Sequence, residues 1–169
     1  MLIFSGKKGK TNRELIETII LEKYNQYYRL AYSYVHSEAD AFDIVQNGAY
    51  KALRGCDRLK QQEYAETWIY RIMLNEIFSW LKQSKTLSYD ELYEEQGNEA
   101  EAKEDTYENV DLQKALDALP VKDKAIVLLK YFEDKKLEEI AQILDENVST
   151  VKSRLYRSMK KLRVMLSDE

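Results

Sequence analysis

LEEIAQILDENVSTVKSRLYRSMKKLR, Leu137–Arg163, is the stretch that decides the fold. Its first eight residues place Ile140, Ala141 and Leu144 on one helical face. Asp145-Glu146-Asn147 then breaks the pattern. Asn147 is a good helix N-cap, because its side-chain oxygen can accept an amide of the first turn. From Val148 a second helix runs to about Leu166, with Val151, Leu155, Met159 and Leu162 at steps of three and four. Small Ala141 lets the two helices cross closely. Asp145 stands where such turns often have Gly, and Asp tolerates left-handed backbone better than most residues. The spacing predicts a helix-turn-helix.

Charge sharpens that reading. The face opposite the buried stripe carries Ser149, Thr150, Lys152, Ser153, Tyr156, Arg157 and Lys160, with Arg154 at its flank. From Val148 to Arg163 there is no acidic residue. A solvated helix face explains a few lysines. An acid-free donor face on the second helix of a compact pair points to phosphates and base edges in a major groove. The whole chain has a net charge of −4, which by itself argues against nucleic acid. The acidity is local, however: residues 84–109 hold 9 Asp/Glu against 2 Lys/Arg, whereas 110–169 hold 12 Lys/Arg against 11 Asp/Glu. For phosphate contact the local stripe counts for more than the total.

Working outward, Leu112, Ala115, Leu116 and Leu119 form a short helix that stops at Pro120. Lys122–Phe132 continues with Ala125, Ile126, Leu129 and Phe132 expected inside. Upstream, residues 84–109 are polar and acidic, with few groups to bury. They read as a flexible acidic linker, the alternative being an acidic surface helix on a single domain. Residues 12–83 carry three helical patterns. The first holds Leu15, Ile16, Ile19, Ile20, Tyr24, Tyr27, Ala31 and Tyr34. The second, capped by Ser37 or Asp40, holds Ile44, Val45, Ala49 and Leu53. The third, Tyr64–Lys82, carries Trp68, Ile69, Ile72, Met73, Ile77, Trp80 and Leu81. Trp68 reads as core, while Tyr70 is open between core packing and a stacking role. Met1–Thr11 reads as a loose tail.

Only 5 Gly and 1 Pro punctuate the chain, too few for repeated hairpins. The expected fold is therefore all-α: two small helical domains, 12–83 and 110–169, joined by the 84–109 linker. A single Cys56 and a single His36 exclude a four-ligand zinc site or a disulfide within one chain. They read as a small buried thiol and a surface imidazole rather than a catalytic pair. The carboxylate pairs Asp40/Asp43 and Glu63/Glu66 lack His or Cys support and a Gly-rich phosphate loop, so they read as solvated or partner-facing. No metal, no cofactor and no catalytic residue is expected. No apolar run approaches the roughly 18 residues of a membrane span, and the expected location is cytoplasmic, without membrane insertion. A response-regulator architecture would need β-rich runs in the N-terminal half, and none is present.

Three motifs together carry a family resemblance. Leu119-Pro120, Leu137-Glu-Glu-Ile-Ala and Thr150-Val-Lys-Ser-Arg-Leu-Tyr-Arg157 resemble region 4 of the extracytoplasmic-function (ECF) sigma factors. Asp40-Ala-Phe-Asp-Ile-Val-Gln46 resembles their region 2 polymerase-binding helix. Trp68-Ile-Tyr-Arg-Ile-Met-Leu-Asn75 resembles their promoter-melting helix. The resemblance spans about residues 14–166. It implies that 12–83 is sigma region 2 and 110–169 sigma region 4. It implies that Asp40, Asp43, Gln46 and Asn47 contact the clamp helices of core RNA polymerase, whose flap is the region 4 partner. The family often has Glu where Asn47 stands, and an aromatic where Ala49 stands. For promoter DNA it implies a minus-ten set of Arg58, Lys60, Arg71, Asn75 and Lys82. The minus-thirty-five set is Ser149, Thr150, Lys152, Ser153, Arg154, Tyr156, Arg157 and Lys160. A membrane-anchored anti-sigma factor acting in an envelope-stress response is the implied regulator.

Overall fold

The computed structural model describes residues 9–85 and 107–167. The linker expected at 84–109 falls almost wholly outside the described residues, as does most of the N-terminal tail. Seven α-helices and no strand occur among those described. In chain order they are α1 (Asn12–Val35), α2 (Glu38–Arg54), α3 (Ala65–Lys85), α4 (Tyr107–Asp117), α5 (Val121–Val127), α6 (Leu137–Leu144) and α7 (Val148–Ser167). Two 3₁₀ turns, Cys56–Arg58 and Gln62–Tyr64, join α2 to α3.

Helices α1, α2 and α3 pack into an N-terminal bundle. Thr11 caps α1: its hydroxyl accepts from the Glu14 amide, and Glu14 returns a carboxylate to the Thr11 amide. Such a reciprocal cap contributes about 1 kcal/mol. Ser37 caps α2 by accepting from the Asp40 amide. This settles Ser37 over Asp40 as the cap. The bundle core is Ile16, Ile20, Tyr27, Leu30, Ala31 and Tyr34 against Ile44, Val45, Ala52, Ile69, Tyr70, Met73, Leu74 and Ile77. Each fully buried large apolar side chain contributes roughly 1.5–3 kcal/mol. Gly48 lets α2 approach α3, since a Cβ there would lie 2.5 Å from Met73 Sδ.

The C-terminal unit, α4–α7, closes over Ala125, Ile126, Leu129, Ile140, Ala141, Ile143, Val151, Leu155 and Leu162. One expectation fails here. Phe132 is not buried but 57% exposed. The chain widens into a π-turn over Leu128–Phe132, closed by the Glu133 amide donating to the Leu128 carbonyl at 3.0 Å. The extra residue in that turn rotates everything after it, so the three- and four-residue count no longer points Phe132 inward. A smaller departure lies in α7. Met159 is only half-buried, and Ser158 takes its place in the buried stripe.

The two units meet along a polar seam. Tyr34 Oη donates to the Val121 carbonyl at 2.7 Å, and Tyr70 Oη donates to Glu133 at 2.6 Å. Lys124 is 1% exposed. Its ammonium donates to Asp117 and to the Ser33 carbonyl and sits 4.5 Å over the Tyr34 ring. His36, at the C-cap of α1, pairs with the other Asp117 oxygen at 3.0 Å. At the second end of the seam Glu66 lies between Lys23 (3.2 Å) and Lys135 (2.8 Å).

Candidate nucleic-acid interface

Helices α6 and α7 form the helix-turn-helix. Asp145 occupies the left-handed region (φ 59, ψ 50), so the turn closes without glycine. Its geometry is locked by the Glu146 amide donating to the Ala141 carbonyl at 2.9 Å. The Val151 amide donates to the Asn147 carbonyl, which starts α7. Glu139 accepts from the Lys136 amide at 2.8 Å and satisfies one of the free donors at the start of α6.

With Val151, Leu155, Ser158 and Leu162 turned inward, Ser149, Lys152, Ser153, Tyr156, Arg157 and Lys160 are all exposed. Tyr156 is 72% exposed, a large cost in apolar contact for a residue that only packs. Thr150 is half-buried. Arg154 is set apart from this group: its guanidinium faces Asp123 at 3.4 Å, back toward α5.

The N-terminal residues occupy two further surfaces. Asp43, Gln46 and Asn47 lie exposed on α2, with Asp40 half-buried in its first turn. Exposed Phe42 and Tyr50 share that helix. Neither aromatic was singled out from sequence. The repeat that placed Ile44, Val45, Ala49 and Leu53 inward leaves both outside; the structure buries Ile44, Val45 and Ala52 and leaves Ala49 and Leu53 half-buried.

Arg58 and Lys60, from the loop before α3, line a cleft of about 330 Å³ with Leu59, Tyr64, Trp68 and Arg71. That volume lies within the range of small-molecule sites. Trp68, expected in the core, is half-buried and forms one wall. Tyr70 is 1% exposed, which resolves it as a core residue; burial, and then its bond to Glu133, push its phenol well above the ordinary range. Asn75 lines a second cleft with Arg71, Phe78, Lys122, Leu144 and Asp145. Arg71 donates to the Gln142 carbonyl of α6. Lys82 is exposed one helical stretch further on. The geometry thus joins Arg58, Lys60 and Arg71 in one cleft and Arg71 with Asn75 in the next. Lys82 lines neither.

Among the described residues no group of three or more His, Cys, Asp or Glu is placed to hold a metal, and no helix is long and apolar enough to cross a membrane.

Fold and surface define a class: a two-part helical DNA-binding protein with a helix-turn-helix at its C-terminal end. Comparison with known proteins narrows it. Residues 19–86 match the family described as Sigma-70 region 2, and residues 109–162 match Sigma-70, region 4. The chain is similar to RNA polymerase sigma factor SigV of Bacillus subtilis (strain 168), 41% identical over 165 residues, 96% of this chain and 98% of that protein. It is also similar to ECF RNA polymerase sigma factor SigW of the same organism, 28% identical, with 83% of each chain covered. Among solved structures, the fold is similar to the sigma factor RpoE in complex with the anti-sigma factor NepR from Bartonella quintana. That match has a TM-score of 0.70 and 20% identity, covering 89% of this chain and 96% of that one. CnrH in complex with the cytosolic domain of CnrY matches with a TM-score of 0.70 and 18% identity, covering 95% and 99%. The chain belongs to the ECF group of the sigma-70 family of RNA polymerase sigma factors. It is a transcription initiation factor that directs promoter-specific initiation by RNA polymerase.

Proposed function

We propose that the chain grips its promoter at two points while bound to core RNA polymerase. In this reading α2 offers Asp40, Asp43, Gln46 and Asn47 to the polymerase clamp helices, and region 4 meets the flap. The α7 face (Ser149, Thr150, Lys152, Ser153, Tyr156, Arg157 and Lys160) reads the minus-thirty-five duplex, with Arg154 at its flank. Arg58, Lys60, Arg71, Asn75 and Lys82 hold the opened minus-ten strand. Opening a promoter needs a bound single strand and a recess for an extruded base, not a chemical catalyst. The observation that carries the reading is the α7 face, where every residue of the expected minus-thirty-five set except half-buried Thr150 and Arg154 is exposed on one acid-free helix.

Control by an anti-sigma factor is part of the same proposal. The structural neighbour RpoE was solved with an anti-sigma factor, NepR, bound, and CnrH with the cytosolic domain of CnrY. A membrane-anchored partner would place the chain at the inner face of the membrane and suit an envelope-stress response. The deciding experiment is reconstitution with core RNA polymerase and transcription from a randomised promoter library. Enrichment of two spaced elements is expected. Alanine variants of α7 should relax only the upstream element, and variants of α3 only the downstream one. A library that yields no enriched upstream element, or one unaffected by α7 variants, would overturn the assignment.

A further inference from the structure

The loop that carries Arg58 and Lys60 is tied down from outside its own sequence. Asn12, the first residue of α1, donates through Nδ2 to two carbonyls of that loop, Cys56 at 3.0 Å and Leu59 at 2.9 Å. Its Oδ1 accepts from Gln62 Nε2 at 2.9 Å, and the same Gln62 nitrogen donates to the Lys10 carbonyl at 2.9 Å. Both amide hydrogens and the amide oxygen of Asn12 are therefore engaged. A flipped amide would face two carbonyl oxygens with a third oxygen, so the orientation is fixed by the partners.

The two carbonyls bracket Arg58, and Lys60 follows the second. The loop has few bonds of its own: the Arg58 amide to Gly55 at 2.9 Å, the Leu59 amide to Cys56 at 3.1 Å, and the Tyr64 amide to Gln61 at 3.0 Å. Buried Leu59 is its apolar anchor. Asn12 in turn is held by the Thr11–Glu14 capping box that begins α1.

We propose that Asn12 is a positioning residue for the strand-capturing loop, setting where Arg58, Lys60 and the cleft wall of Leu59 stand relative to Trp68. This rests on the reading of the Arg58–Lys60 cleft as the place that receives the opened strand. A residue that touches no DNA then governs which base the cleft accepts.

The test uses Asn12→Asp, nearly the same in shape. A carboxylate in the first turn of a helix favours the helix dipole, so α1 keeps its start. It lacks both donors and sets negative charge against two carbonyl oxygens. Gln62→Ala is the second variant, which frees Oδ1 but keeps the two donated bonds. Each full-length variant is assembled with core RNA polymerase. It is then challenged with single-stranded DNA oligonucleotides carrying a randomised hexamer, alongside Arg58→Ala/Lys60→Ala. For Asn12→Asp, strand affinity should fall about tenfold, the equivalent of about 1.4 kcal/mol. Base preference at one hexamer position should flatten, while core-polymerase affinity stays within twofold. Gln62→Ala should show the same change, but smaller. Unaltered base preference in Asn12→Asp overturns the positioning role, as does a parallel fall in polymerase binding. If Arg58→Ala/Lys60→Ala weakens capture and Asn12→Asp does not, the positioning role of Asn12 fails and the cleft reading stands. If the loop double variant captures strands normally, the cleft reading fails and the positioning role of Asn12 falls with it.

Discussion

The two DNA-facing surfaces are presented in opposite ways. The α7 face stands clear of the rest of the chain, with Tyr156, Arg157 and Lys160 exposed. The α3 face is partly spoken for: Arg71 donates to the Gln142 carbonyl, and Asn75 shares a cleft with Leu144 and Asp145 of the helix-turn-helix unit. The first surface is made by a single helix and its repeat. The second is made by two units brought together at a seam, and a strand lying along α3 would compete with α6 for Arg71. Local sequence pattern determines one, and long-range packing the other.

The largest way to break this contrast is to break the seam. Lys124 is buried with Asp117 as its charged partner, and an unpaired buried ion is costly. Asp117→Ala should destabilise the full chain by about 3–5 kcal/mol in urea unfolding. Acid should act on the same pair. Burial alone would push the Asp117 carboxyl up, but the His36 hydrogen bond and the Lys124 charge outweigh it and hold it below the ordinary carboxylate range. Its stabilisation is complete above about pH 4, the unfolded value, and is lost as pH falls further through the lower folded one. The gap between the native chain and Asp117→Asn in urea midpoint should therefore narrow as pH falls below about 4. A gap that does not change there would contradict the pairing.

The open surface is broken next. Arg157→Ala should weaken promoter binding by about 1–3 kcal/mol in the assembled holoenzyme, the range of a good base contact. Transcription from the native promoter at an unchanged level would remove Arg157 from the reading set. Arg154→Ala sharpens the comparison. Because Arg154 faces Asp123, its loss should appear in urea unfolding, by well under 1 kcal/mol for a partly exposed pair.

On the covered surface, Asn75→Ala should impair promoter opening, followed by a fluorescent base in the minus-ten region, by on the order of 1 kcal/mol. Core-polymerase affinity should hold, because Asp43, Gln46 and Asn47 lie on a different helix. Equal loss of both activities would mean that Asn75 serves the bundle and not the strand.

This contrast also explains what the sequence could tell. The spacing of Ile140, Ala141, Val151, Leu155 and Leu162 fixed the helix-turn-helix, and Asp145 met its left-handed position as its chemistry allowed. In α1–α3 the patterns placed the helices closely, because each repeats over several turns. Phe132 went astray because a π-turn inserts a residue where a fixed period assumes none. Lys124 is missed, and Tyr70 left open, for another reason. Their burial depends on partners 91 and 63 positions away, which no local repeat contains. Asn12 is of the same kind: a polar residue at a helix start reads as part of a cap until the loop it holds is in view.

Another small effect tests the seam without touching a charge. Tyr70 is core by its ring, which meets Tyr27 edge-on at 5.1 Å, and seam by its hydroxyl, which reaches Glu133. Tyr70→Phe keeps the ring and removes only the bond between units. Glu133 is half-buried and can turn to water, so the loss should be about 1 kcal/mol or less. Lys135 remains beside the ring at 5.0 Å and keeps its pairing with Glu66, so the rest of that end of the seam survives. The variant should therefore unfold almost as the native chain does in urea. X-ray scattering should nevertheless show a larger radius of gyration if this bond biases the two units toward each other. A stability loss of several kcal/mol would instead mean that the hydroxyl supports the N-terminal bundle itself. The Arg71–Asn75 face would then be covered for reasons independent of this contact.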